Sequence, residues 1–143
     1  MFLGEYFHTF DTKNRISIPS KFRKALGRSI VLTRGVDRCL YLYPRKAWER
    51  VAAQYAEEVN GNAARRGLAR LFLAGSFDTE VDSGGRVLVP ENLKGFGGLK
   101  ERAVVAGVAS RIEIWDEEEW KKYSESLERD AASFVEKVDE FRK

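Results

Sequence analysis

Two copies of one short motif carry charged side chains that this sequence could use for recognition. Each copy has the pattern Asp-x-x-x-Arg-φ-x-φ-Pro, in which φ is apolar, and the copies span Asp11–Pro19 and Asp82–Pro90. An arginine guanidinium is a planar fork of donors that can bond O6 and N7 of one guanine or clamp a phosphate, and it stays charged at physiological pH. Arg15 and Arg86 are therefore candidates for contacts to nucleic acid.

The residues before each arginine are typical of a tight turn. Asp11 and Asp82 can bond nearby backbone amides, and Asn14 tolerates the positive φ that such a turn requires. The basic side chain of Lys13 adds attraction to phosphate. A structural alternative stays open, in which the Asp and Arg of each motif simply pair across their turn. The predicted contact set is Asp11, Lys13, Asn14, Arg15, Asp82 and Arg86.

The elements that must position these residues are duplicated. A shift of 71 residues superposes the two motifs, and a shift of 72 superposes Leu40, Leu42 and Trp48 on Ile112, Ile114 and Trp120. Each copy has the pattern of a strand, a turn, a return strand that stops at proline, a short helix, two further strands and a closing helix. The short helix of the first copy, Ser20–Leu26, buries two apolar residues and leaves a basic face. That face supplies secondary contact candidates, namely Lys21, Arg23 and Lys24.

Charge and composition narrow the class of protein. The net charge of +3 divides into +7 for residues 1–50, 0 for 51–100 and −4 for 101–143, so we expect a basic N-terminal surface. We find no signal-peptide pattern and no apolar run long enough to span a membrane, which predicts a cytoplasmic protein without a membrane partner. His8 and Cys39 are the only residues of their types, so we expect no metal site, no cofactor and no enzyme activity.

Three other features receive structural interpretations. Tyr41, Tyr43 and Trp115 belong to an aromatic set that could stack bases but falls on apolar faces, which favours core packing. Residues 95–98, Gly-Phe-Gly-Gly, lack the spacing of a dinucleotide site and are predicted to form a loop. From Asp116 onward the sequence predicts an acid-capped helix. Its apolar seam must pack on its own chain or on a neighbour, and comprises Trp120, Tyr123, Leu127, Ala131, Phe134, Val138 and Phe141.

The duplicated motif, with its tandem spacing, resembles the MraZ family over nearly the whole chain. The resemblance implies an α+β, β-rich fold, in which two tandem AbrB-like βαβ-type repeats form an intrachain swapped-hairpin barrel with peripheral helices. We divide the chain into a first repeat over residues 1–58, a helical linker over 59–74, and a second repeat with a C-terminal helix over 75–143. The family usually has glycine where this chain has Asn14, a substitution that the turn should tolerate.

The resemblance also implies a function. It predicts a nucleoid-associated regulator of transcription that binds double-stranded DNA at short direct repeats, upstream of its own division and cell-wall operon, and that assembles into a ring of identical chains. Two alternatives remain, a single-stranded RNA-binding module and an antitoxin-type protein-interaction module. Exposed Tyr41 and Tyr43 would favour the first, and a disordered C-terminal tail would favour the second.

Overall fold

The computed structural model describes residues 1–142, with side chains through Asp139. Lys143, the predicted end of the second repeat, and the side chain of Phe141 lie outside the described residues. The described chain forms strands β1 (Phe2–Thr9), β2 (Arg15–Ser17), β3 (Ser29–Arg34), β4 (Leu40–Pro44), β5 (Phe77–Glu80), β6 (Arg86–Leu88), β7 (Arg102–Ala109) and β8 (Arg111–Asp116). Its helices are α1 (Ser20–Leu26), α2 (Arg45–Ala56), α3 (Ala63–Ala74), α4 (Glu91–Phe96) and α5 (Glu117–Arg142), with a 3-10 turn at Glu57–Asn60 between α2 and α3.

Strands of the two repeats are interleaved in one antiparallel sheet. Its six strands lie in the order β1-β7-β8-β4-β3-β5, so β1, β4 and β3 of the first repeat each pair with a strand of the second. The longest strand pairing between the repeats is that of β1 with β7. It runs from Phe2 opposite Ala109 to Thr9 opposite Arg102. The interleaving confirms the predicted α+β, β-rich, swapped-hairpin arrangement of two tandem repeats.

The return strands of the two motifs pair with each other. β2 and β6 form a two-stranded antiparallel ribbon in which Ile16 lies opposite Val87. Two further backbone bonds extend it, from Ile18 to the carbonyl of Gly85 and from Val89 to that of Asn14. Neither return strand forms a ladder with the first strand of its own motif. Each return strand satisfies its backbone groups on the other repeat instead.

Apolar side chains cover both faces of the six-stranded sheet. One face packs on the β2–β6 ribbon, α1 and α4, and the fully buried Ile16, Phe22 and Val87 belong to that core. The other face carries Tyr41, Tyr43 and Trp115, which pack with residues of α2, α3 and the start of α5. Helices α2 and α3 and the start of α5 therefore lie on the side of the sheet opposite the ribbon and its turns, whereas α1 and α4 lie on the ribbon side.

Local sequence accounts for most element bounds, with two corrections. The sequence pattern before the first motif predicts a short strand from Phe7 to Phe10. Strand β1 instead begins at Phe2, because the eight-residue β7 provides a partner along its whole length. The glycine-rich stretch is not entirely a loop, since Gly95 and Phe96 form the last turn of α4. Leu93 of that helix is buried, and its carbonyl accepts the Gly97 amide, so packing and a backbone bond hold the helical turn together.

The C-terminal helix begins as its acidic sequence predicts. The side chain of Asp116 accepts a hydrogen bond from the amide of Glu119 at 3.2 Å, which caps the first turn. The next turns pack on the sheet through Trp120 and Tyr123, whose rings lie 5.4 and 5.0 Å from the ring of Trp115. Farther along, the side chains from Glu128 to Asp139 are exposed, so only the first part of the seam is covered within the chain. No helix of the described chain is long and apolar enough to cross a membrane.

Candidate nucleic-acid interface

The first motif folds into a turn that its own aspartate stabilises. One carboxylate oxygen of Asp11 accepts the backbone amides of Lys13 and Arg15, each at 2.9 Å. The backbone amides of Asp11 and Asn14 complete the turn by donating to the carbonyls of Arg15 and Asp11. Asn14 has a φ of 60°, which confirms the positive φ expected there.

The second motif repeats this geometry. Asp82 accepts the amide of Gly84 at 2.9 Å and that of Arg86 at 2.8 Å. Gly85, with a φ of 76°, occupies the position of Asn14. Because the ribbon joins the two return strands, the two turns meet at one place on the surface.

Where they meet, two aspartates and two arginines form one group of ion pairs, which we call the turn cluster: Asp11, Arg15, Asp82 and Arg86. The Nε atom of each arginine donates to the aspartate of its own turn, at 2.8 Å for Arg15 and 3.2 Å for Arg86. Each Nη1 also lies near the aspartate of the other repeat, at 3.8 Å for Arg15 and 3.7 Å for Arg86. The local pairing that we considered as a structural alternative is thus present for both arginines. It leaves 28% of the Arg15 side chain and 37% of the Arg86 side chain exposed.

The hydrogen bonds of the turn cluster favour charged carboxylates. The pKa of Asp11 lies below its ordinary value chiefly because the backbone amide of Arg15 donates to it, with a further contribution from the Arg15 guanidinium. The pKa of Asp82 is lowered in the same way, by the backbone amide and then the charge of Arg86. Both aspartates therefore remain negative and hold the arginines in place at neutral pH.

Each short helix places one cationic side chain beside the turn of the other repeat. The Arg23 guanidinium of α1 lies so close to Gly85 that a Cβ built there would come within 2.3 Å of its Cζ. In the second repeat, Lys94 of α4 donates from Nζ to Asn14 Oδ1 at 2.9 Å. Glu91 accepts from the other end of that amide at 2.7 Å. Sequence reasoning missed Lys94, although the shift of 71 residues places it on Arg23 and could have identified it.

The remaining predicted cations lie near this surface but outside the cluster. Lys13 is exposed at the tip of the first turn, and Lys21 and Lys24 are exposed on α1. Their exposed side chains add positive charge to this surface. A cleft beside the second turn is lined in part by Arg23, Arg28 and Ser83.

The lone histidine and cysteine lie elsewhere. His8 is half-buried on β1, and its pKa is lowered by burial and by the charge of Arg23. Cys39 is fully buried, and burial raises the pKa of its thiol. Among the described residues, no group of three or more His, Cys, Asp and Glu side chains is placed to hold a metal ion.

The aromatic set packs in the core. Tyr41 and Tyr43 are only 6% and 5% exposed, and Trp48 and Trp115 are buried beside them. This confirms the packing interpretation and removes both tyrosines from any base-stacking surface. Trp120 is half-buried against Trp115.

The interleaved sheet and the paired Asp-Arg turns define a tandem-repeat protein with the swapped-hairpin arrangement. The family model described as MraZ protein matches the chain twice, over residues 1–71 and 72–141, and its description also likens the family to antitoxins. The two matches begin 71 residues apart, as the internal repeat does, which confirms the duplication. This chain belongs to the MraZ family.

Curated relatives cover the same length. A protein of Roseiflexus castenholzii named transcriptional regulator MraZ is 42% identical over 142 residues, which is 99% of each chain. The regulator of the same name from Clostridium acetobutylicum is 43% identical over 140 residues, or 98% of each chain. That of Lachnoclostridium phytofermentans is 47% identical over 124 residues, or 87% of each.

Proposed function

We propose that this chain is a transcriptional regulator that binds double-stranded DNA sequence-specifically through the turn cluster and the cations around it. The observation that carries the proposal is the meeting of Arg15 and Arg86 at one partly exposed surface, each held by an aspartate. The names of its relatives, which are transcriptional regulators, support the same class.

The ion pairs are compatible with DNA contact because each aspartate engages the Nε side of its arginine guanidinium. Each aspartate bonds the Nε of its arginine, while Nη1 lies 3.7–3.8 Å from the other aspartate, beyond hydrogen-bond distance. The terminal nitrogens are those that an arginine presents to O6 and N7 of guanine. The aspartates thereby reduce the entropy that the arginines lose on binding, since the side chains are already oriented.

Cations around the cluster supply the part of binding that does not depend on sequence. Lys13, Arg23 and Lys94 lie in or against the two turns, and Lys21 and Lys24 extend the positive surface along α1. Each phosphate that such a side chain neutralises steepens the logarithmic salt dependence by about 0.9. Asp11, Asp82 and Asn14 shape the turns in this proposal.

The finer parts of the proposal follow from the family resemblance. We infer that the target comprises short direct repeats upstream of the chain's own division and cell-wall operon. One turn cluster offers few contacts, so a ring-shaped assembly of identical chains would gain affinity by engaging several repeats at once. Such a regulator would act in the cytoplasm, at the nucleoid, as a binding protein rather than an enzyme.

Fluorescence anisotropy tests the proposal with a labelled duplex from upstream of the chain's own operon and a scrambled duplex of equal length. Arg15→Ala and Arg86→Ala should each cost roughly 1–3 kcal/mol of specific binding, which weakens affinity at least about fivefold. Arg15→Lys keeps the charge but loses the fork, so it should weaken binding to the specific duplex more than to the scrambled one. Lys13→Ala should weaken both duplexes alike and reduce the salt slope by about 0.9.

Lys46→Ala is the matched control, because Lys46 is exposed on α2 on the opposite side of the sheet. It should leave specific binding unchanged. Circular dichroism and light scattering verify that each variant keeps its fold and its assembly mass. Unchanged specific affinity in both arginine-to-alanine variants, with fold and mass intact, would refute a DNA-binding role for the turn cluster.

The alternative of single-stranded RNA binding loses its main support. It required exposed Tyr41 and Tyr43, and both are buried. The antitoxin-type alternative relied on a disordered tail, whereas the described C-terminal residues form the regular helix α5.

A further inference from the structure

The second half of α5 is an apolar seam that its own chain leaves uncovered. We call residues 124–139 the acidic arm, because they carry five acids against Arg129 and Lys137. Phe134 is 41% exposed and Val138 is 48% exposed, while Leu127, nearer the sheet, is half-buried. Spacings of three and four residues place these side chains and Ala131 on one face of the helix.

Such an arm needs a partner to stay helical. A helical segment of this length without tertiary packing is marginal in water, because its stability in proteins comes mainly from packing of an apolar face. The first turns of α5 obtain that packing from Trp115, which stacks on Tyr123. Beyond Leu127 the chain itself provides none, since every side chain from Glu128 to Asp139 is exposed.

A complementary surface lies on α3. This helix carries Arg65, Arg66 and Arg70 and no acid. Arg65 lies 3.4 Å from Glu58 and Arg66 donates to a backbone carbonyl, whereas the exposed Arg70 lies one turn farther along. Beside the buried Ala69 and Phe72, α3 carries an apolar strip, whereas the solvent-facing surface of a helix is usually polar. We call this strip the outer face of α3; it comprises the exposed Ala63, Ala64, Gly67 and Leu68 and the half-buried Leu71, which also packs on the core of its own chain.

Gly67 gives this face additional room. A glycine inside a helix costs about 1 kcal/mol relative to alanine. A Cβ built at Gly67 would meet nothing within 4 Å, so no contact within the chain explains the absence of a side chain. A large side chain from another helix could approach closely at this position.

We propose that the acidic arm of one copy docks on the outer face of α3 of a second copy. The apolar seam would cover Leu68 and Leu71, and the acids of the arm would lie beside the arginines of α3. A second exposed apolar surface, formed by Leu3 and Phe7 on β1, fits the arm less well because Glu5 lies between them and repels its acids. The acidic arm and the outer face of α3 are two different surfaces of the chain, and both are exposed. A copy that docks its arm on a neighbour therefore still presents its own α3 surface to a third copy.

A contact between two different surfaces repeats from copy to copy and closes into a ring if the rotation permits. The inference rests on the self-association in the proposed function and names the surfaces that would mediate it. It does not depend on the turn cluster, which lies on the other side of the sheet.

Two neighbouring alanines allow a matched test. Ala131 lies on the seam, whereas Ala132 is turned about 100° away from it, and both are exposed. Light scattering should show that Ala131→Glu lowers the assembly mass to that of smaller species, whereas Ala132→Glu retains the wild-type mass. Equal masses for the two variants, or a wild-type chain that is a monomer at micromolar concentration, would overturn the proposal.

Cysteine crosslinking identifies the receiving surface and does not require the glutamate variants to fold. Cys39 is fully buried, so it should not react in the folded protein. One chain carries Leu68→Cys and a second carries Phe134→Cys, and oxidation of the mixture should join them. A chain with both changes should form a ladder of dimers, trimers and larger species. Leu68→Cys with Ala132→Cys is the control pair and should give no ladder.

The outcomes separate this inference from the proposed function. Crosslinking of Phe134→Cys to Phe7→Cys in preference to Leu68→Cys would overturn α3 as the docking surface. A mixed result, in which Ala131→Glu lowers the mass but the arginine variants leave DNA binding unchanged, would support the docking contact while refuting the DNA-binding role. The reverse result would retain DNA binding and refute the docking surface.

Discussion

At the scale of single residues, the same aspartate carboxylates both build the turns and orient the arginines. One oxygen of Asp11 accepts two backbone amides, and the other accepts the Nε of Arg15. Asp82 does the same for its own turn and Arg86. Turn formation and arginine orientation therefore cannot be separated by removing an aspartate, which is why the test of function changes the arginines.

His8 provides a pH prediction at this scale. Its folded pKa lies below the ordinary value of 6.5, mainly through burial and secondly through the charge of Arg23. A lowered folded pKa contributes stability that is complete above pH 6.5 and is lost as the pH falls toward the folded value. The stability of the wild type relative to His8→Gln should therefore decrease from pH 8 to pH 5, as measured by urea unfolding.

NMR titration of the imidazole tests the cause of this shift. Arg23→Ala should raise the His8 pKa toward its ordinary value, because it removes a repelling charge. Lys24→Ala is the control, since the charge of Lys24 is not among the causes of the lowered His8 pKa. An equal rise in both variants would contradict a specific effect of Arg23.

At the scale of elements, pairing between repeats decides where each short strand lies. The three-residue strands β2 and β6 would be too short to persist alone, and each is stabilised by the other. The ribbon brings the two turns together, and α1 and α4 then place Arg23 and Lys94 against the opposite turns.

Gly85→Ala tests how strongly the second turn depends on glycine. Alanine in a left-handed conformation costs roughly 1–2 kcal/mol, and its Cβ would also displace Arg23, whose Cζ would lie 2.3 Å away. We expect the free energy of unfolding to fall by at least about 1 kcal/mol. Chemical denaturation provides the measurement.

Gly95→Ala is the matched control for this change. Gly95 lies in α4, and a Cβ there would have nothing within 4 Å. The substitution should stabilise the protein by roughly 0.5–1 kcal/mol, because alanine loses less backbone entropy in a helix. A loss of stability of the same size in both variants would mean that neither the backbone conformation nor the Arg23 contact is decisive.

At the scale of the whole molecule, the interleaved sheet makes the two repeats depend on each other. β1, β4 and β3 each pair with a strand of the second repeat. Our division at residues 1–58, 59–74 and 75–143 describes the order along the chain and remains a prediction. The strand pairing indicates one cooperative folding unit.

Ile16→Ala should therefore destabilise both repeats together. Ile16 is fully buried opposite Val87, and its truncation should cost about 2–5 kcal/mol. Hydrogen exchange should show lost protection in β7 of the second repeat as well as in β3 of the first. Val36→Ala, at a side chain that is 63% exposed, should change little. Loss of protection confined to the first repeat would contradict a single folding unit.

Much of this protein follows from local sequence. The Asp-x-x-x-Arg motifs determine their turns because a carboxylate two residues away satisfies the backbone amides, and the bounds of α1 follow from a proline start and the spacing of Phe22 and Leu26. The shift of 71 residues likewise predicted the duplication that the family model matches.

Tertiary structure alone decided which strands pair and which charges meet. A return strand of three residues can bond either its own first strand or the other repeat with similar local geometry, and only the shared core around Ile16 and Val87 selects the second. That choice brings Arg15 to Asp82 and Lys94 to Asn14, contacts between residues far apart in the chain. Sequence determined the turns, because their hydrogen bonds are local, whereas long-range packing determined the surface that they form together.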